Sequence, residues 1–186
     1  EDLRGGSRID QLSIGASDLQ VPPGPAYVYV PPGYGSAANR DHRYPVIYLL
    51  HGYPGASVDW VRAGDMQPIL DKLIQDKLIE PMIAVAPDAS GGWVHDSEMV
   101  NQVNGPQLET YLTKTVPQTI DAKYRTIANR EGRAIGGVSS GGYGALNLAL
   151  RNQDVFSVSV PMMPYGDPGA VLDSLFAGDR QLLEQN

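Results

Sequence analysis

The chain has 186 residues, room for one domain with a real core but not comfortably for two. Fourteen Lys and Arg face twenty-one Asp and Glu, a formal net charge of −7 with no basic run, which argues against nucleic acid and anionic membrane surfaces as partners. There are no cysteines, so disulfides and thiolate metal sites are excluded, and no apolar run approaches the roughly 18 residues of a membrane span.

The first residue is Glu1, not Met, which reads as a trimmed or processed start with any signal peptide already removed. Alternating apolar residues suit an exposed strand near Ile9 to Ile14. Pro22, Pro23 and Pro25 are expected to break the chain before a strand over Ala26 to Val30, and "PPGYG" ends it. Gly35 to Arg43 reads as a loop. "VIYLL", Val46 to Leu50, is apolar on both faces and suits a central strand covered on each side. Asp65 is placed to cap a helix whose Met66, Ile69, Leu70, Leu73 and Ile74 form one stripe.

"MIAVA", Met82 to Ala86, is the next buried strand. A helix over Pro106 to Tyr124 presents Leu108, Tyr111, Leu112, Val116 and Ile120, with Pro117 as a kink site. Ala134 to Val138 is a strand, Gly144 to Arg151 a helix and Val155 to Val160 a strand. Strands alternating with helices indicate a single α/β domain over residues 1–186 with a mostly parallel sheet.

The strongest motif is "GGVSSGGYGA", Gly136 to Ala145. Within it Gly137-Val138-Ser139-Ser140-Gly141 fits G-x-S-x-G, in which a serine sits on a strained turn between strand and helix. Residues two before and two after must be small, because the two backbones nearly touch; Gly137 and Gly141 meet that need. Ser139 is therefore the candidate nucleophile. The turn also aims the Ser140 N–H at a developing oxyanion. The bland alternative is a glycine-rich turn that only lets strand and helix pack.

A second piece is "LLHGYPGASVDW", Leu49 to Trp60, a glycine-bearing loop after a central strand, where the backbone N–H of Tyr53 is the candidate second donor. His51 reads as a structural residue beside that donor rather than a base, and Trp60 as core. "GGWVHDSE", Gly91 to Glu98, reads as a surface loop near the site. Its His95, Asp96 and Glu98 are too sparse for a metal site, and Trp93 is a candidate pocket residue.

With these pieces the sequence resembles the esterase D family of α/β-hydrolases, which includes feruloyl esterases, S-formylglutathione hydrolases and mycolyltransferases. The matching stretches are "VYVPPGY", "YPVIYLLHGYPG", "MIAVAPDASGG", "DAKYRT" and "GGVSSGGYGALNLALRNQDVFSV". The resemblance implies an α/β-hydrolase fold and carboxylic-ester hydrolysis or acyl transfer to a lipid or glycan acceptor. It implies Ser139 as nucleophile, the amides of Tyr53 and Ser140 as oxyanion hole, and no metal or organic cofactor. Export is common among such proteins, so a secreted or extracytoplasmic location is expected.

One part of the pattern is not met. A serine needs a base and an acid, in this fold in the order Ser, Asp or Glu, His. His42, His51 and His95 all precede Ser139. The chain is then expected to lack the fold's C-terminal strands and helix, with a further portion or a second chain completing it. Two other readings stand beside this: a triad rebuilt from positions such as Asp167 and His95, or a non-catalytic binding relative. A sheet without its last strands exposes an apolar edge, which favours the fragment reading and predicts that residues 1–186 alone are not a stable monomer.

Overall fold

In the computed structural model, residues 3–92 and 97–166 are described. They form a six-stranded sheet in the order β1-β2-β4-β3-β5-β6. The strands are β1 (Arg8–Ala16), β2 (Val21–Val30), β3 (Val46–Leu50), β4 (Ile83–Ala86), β5 (Arg133–Val138) and β6 (Val158–Met162). β1 with β2 and β2 with β4 are antiparallel, while β4, β3, β5 and β6 run parallel. This is the expected α/β-hydrolase arrangement. The helices are α1 (Asp59–Arg62), α2 (Met66–Gln75), α3 (Leu108–Thr110), α4 (Val116–Lys123) and α5 (Ser140–Arg151), with a π-helical turn at Tyr111–Thr115 between α3 and α4.

Period-2 alternation divides the central strands between two cores. Val28, Val30, Tyr48, Leu50, Ile83 and Val85 point to one side, where Tyr111, Leu112, Val116, Ile120 and Leu148 cover them. Tyr29, Leu49 and Ala84 point to the other, onto Met66 and Ile74 of α2. The continuous apolar run of β3 is thus buried on both faces, as its sequence indicates.

Four expectations are corrected. Pro22, Pro23 and Pro25 lie inside β2 rather than before it. Only Tyr27 to Tyr29 pair with β4, so the proline-bearing half has an unpaired side that needs no donors, and a register shift opposite Ile14 and Ala16 takes up the rest. Asp65 precedes α2 but its side chain makes no cap; it adopts φ +44 instead. The helix expected over Pro106 to Tyr124 is not one α-helix: a π-helical turn at Tyr111–Thr115 divides it, so the missing N–H of Pro117 falls where the register already changes. The last strand is Val158–Met162, displaced toward the C-terminus because Phe156 turns into the core beside Tyr48. Among the described residues β6 is an edge, with Val158 51% and Val160 41% exposed.

Candidate active site

Ligands of open parallel sheets gather beyond the carboxyl ends of the strands. Here β3 and β5 are neighbours in parallel register, with Leu50 opposite Gly137. Their ends therefore deliver two loops to one place: His51 to Asp59 from β3, and Val138 to Ser140 from β5.

The turn at Ser139 is tight. Ser139 has φ +57 and ψ −120, a backbone conformation that residues other than glycine adopt only under constraint. Two bonds hold it. Its N–H donates to the Met162 carbonyl at 3.0 Å, and its carbonyl accepts from the Tyr143 N–H at 2.9 Å. A Cβ on Gly137 would collide with the Gly141 carbonyl, and one on Gly141 would collide with the Leu50 and His51 carbonyls. Both elbow glycines thus occupy places where strand and helix backbones touch. Helix α5 begins at Ser140, four residues earlier than the sequence pattern indicates, so the Ser140 N–H heads the helix with no partner in a preceding turn.

The facing loop is held by His51, which is 4% exposed. Nδ1 lies 2.9 Å from the Gly52 carbonyl, and Nε2 accepts from the Ala89 N–H at 3.1 Å. The tautomer that satisfies both is the neutral ring with its proton on Nδ1. Burial disfavours the charged ring, while Asp88, 3.6 Å from Nε2, and the Gly52 carbonyl favour it, and the balance lies above the ordinary histidine value. The Ala89 N–H opposes protonation at Nε2. Burial also works against the Asp88 carboxylate, but His51 and the N–H and O–H of Ser90 outweigh it and hold its pKa below the usual range. Asp88 and Ser90 are supports that motif reading did not single out, although "APDAS" carries both.

A cleft of about 460 Å³ opens over Ser139. Tyr53, Pro54, Trp60, Val138 and Met162 supply its apolar walls, and Asp59 is the one carboxylate among the described residues that line it. Trp60 is therefore a wall residue as well as a packing residue, a correction to its reading as core alone. Tyr53 also borders a much smaller cavity with Ser140, so the loop and the elbow meet. His42 does not reach this region: its ring stacks edge-on against Tyr44, before the start of β3, at the opposite end of the strand. Trp93, His95, Asp96 and Asp167 lie outside the described residues. Among the described residues no cluster of His, Asp and Glu could hold a metal ion, and no helix is long and apolar enough to cross a membrane.

Residues 23–175 match the family model described as "Putative esterase". An endo-1,4-beta-xylanase/feruloyl esterase of Xylanibacter ruminicola is 33% identical over 134 residues, which are 70% of this chain and 18% of that protein. An esterase of Mycobacterium tuberculosis is 37% identical over 127 residues, 64% of this chain and 26% of that protein. Among solved structures, a ferulic acid esterase is similar at 30% identity and TM-score 0.73, covering 82% of this chain and 59% of that one. An S-formylglutathione hydrolase from Staphylococcus aureus shares the fold at 19% identity and TM-score 0.67, over 89% of this chain and 61% of that one. The chain thus spans a minor part of those two curated relatives and about three-fifths of those two structures.

Proposed function

Because this chain belongs to the Putative esterase family, we propose that the protein hydrolyses carboxylic esters through an acyl-enzyme on Ser139. The observation that carries the proposal is the backbone of Ser139: left-handed φ, pinned to Met162, on the floor of a cleft walled by the loop of Tyr53. A flexible surface serine has no reason to bear that strain, whereas a nucleophile that must project from a bend does.

In the proposed reaction a base takes the Ser139 hydroxyl proton as Oγ bonds to the acyl carbon. The carbonyl π electrons move onto oxygen, and the amides of Tyr53 and Ser140 receive that charge. The oxyanion then collapses, the C–O bond to the alcohol breaks, and the alcohol leaves with the proton. Water repeats the sequence and releases the acid. Fixed amide donors of this kind lower the barrier by about 2.7–4 kcal/mol each. His51 is not the base in this scheme, since both ring nitrogens are engaged.

The apolar walls at Tyr53, Trp60, Val138 and Met162 favour a bulky or aromatic acyl group over a charged one. The relatives named feruloyl and ferulic acid esterases support that choice. A fluorophosphonate probe on the full-length protein tests the mechanism. Labelling is expected at Ser139 and is lost in Ser139→Ala; labelling that survives the substitution refutes it.

A further inference from the structure

Directly behind the elbow, the Ser140 side chain presents an unsolved polar balance. Ser140 is 2% exposed, and its Oγ has no hydrogen-bond partner among the described residues. A buried hydroxyl left in that state forfeits its bonds to water and destabilises the fold. The cavity it lines has a volume of about 10 Å³, close to the roughly 10–15 Å³ that room for one water requires. His51, Gly52, Tyr53, Ala89, Ser90, Ser97 and Met99 complete its wall.

Two other hydroxyls on that wall are bonded but not saturated. Ser97 Oγ donates to the Ala89 carbonyl at 3.2 Å and accepts from the Met99 N–H at 3.4 Å. Ser90 Oγ donates to Asp88 at 2.6 Å and accepts from the Gly92 N–H at 3.2 Å. A serine hydroxyl has one donor and two lone pairs, so each retains one lone pair. These hydroxyls therefore offer one free O–H, on Ser140, and free lone pairs on all three, one each on Ser90 and Ser97 and two on Ser140 itself. A water molecule has the matching valence: it accepts from Ser140 and donates to Ser90 and Ser97.

We propose that this cavity is a built site for a single structural water, held by Ser140, Ser90 and Ser97. That water joins the elbow, through Ser140, to the loop after β4, through Ser90 and Ser97. Larger ligands do not fit the volume, and an anion would meet one donor against several lone pairs.

A high-resolution crystal structure of the full-length protein tests the site. One ordered water is expected within about 2.5–3.0 Å of Ser140 Oγ. Ser140→Ala is expected to weaken or remove its density, while Ser139→Ala leaves it in place. The Ser139→Ala arm makes the site independent of the esterase reading, because loss of reactivity does not touch this cavity. Ser140 Oγ turned onto a protein carbonyl, a side chain from residues 93–96 filling the space, or no density where other buried waters are visible, each overturns the proposal. The unsubstituted protein alone gives that answer if Ser140→Ala fails to fold.

Discussion

His51 Nδ1 donates to the Gly52 carbonyl at 2.9 Å, and that bond sets the direction of the Tyr53 amide. The Gly52 carbonyl and the Tyr53 N–H belong to one trans peptide unit, so they point to opposite sides. Anchoring the oxygen aims the hydrogen. The anchor is itself tied to the loop after β4 through the Ala89 N–H.

It follows that His51→Ala slows reaction with a fluorophosphonate without removing the nucleophile. Outright loss of an oxyanion donor costs about 10²–10³ in rate, and a misaimed one should cost about 10–100-fold. Pseudo-first-order labelling rates, compared at matched circular dichroism, measure this. Complete loss of labelling in a folded variant would instead make His51 a direct participant.

Gly141 and Gly35 provide a contrast in backbone space. A Cβ at Gly141 meets the His51 carbonyl at 2.5 Å, whereas one at Gly35 meets nothing within 4 Å. Gly141→Ala should destabilise by about 1–3 kcal/mol or more. Gly35→Ala should be neutral or stabilise by up to about 1 kcal/mol through the unfolded chain. Urea midpoints of the two variants decide it, and equal effects would contradict the close approach at the elbow.

Asp88 gives a pH dependence of defined sign. Its pKa is lowered in the folded protein, so the unfolded chain binds its proton more readily. The stability it contributes is complete above the unfolded value of about 3.9 and is lost as pH falls through the folded one. Asp88→Asn should therefore show a shallower loss of stability between about pH 5 and pH 3. Denaturant midpoints at the two pH values test this, and an unchanged slope would refute it.

Trp60 forms a wall of the cleft. Trp60→Ala should raise KM for a bulky aromatic acyl ester about tenfold, the equivalent of about 1.4 kcal/mol, and much less for an acetyl ester. Steady-state kinetics on the two esters give the ratio. Equal changes in both would place the acyl group elsewhere.

Much of this was legible because steric rules act locally. Gly137-Val138-Ser139-Ser140-Gly141 announces its own turn, since only small residues pass where the backbones touch. The double-faced burial of β3 was readable from an unbroken apolar run. Rules that depend on a neighbour failed. The prolines of β2 look like breakers because the sequence does not say which side of a strand is unpaired. Trp60 reads as core, yet one indole ring can pack against the cluster on that side of the sheet and still border a cleft.

The order of apolar runs and glycines determined by itself the α/β class, the family and the position of the strained serine. The class and the turn are properties of neighbours in the chain, fixed by short-range sterics and periodicity, while the family rests on the resemblance of whole stretches of sequence. Only the tertiary structure decided that β3 and β5 lie side by side, so that Tyr53 and Ser140 border one cavity though 87 positions apart. It also decided that His51 spends both nitrogens on backbone groups rather than on a proton in transit. Hydrogen bonds between distant segments choose their partners by strand order and register, and neither is written in any short stretch of residues.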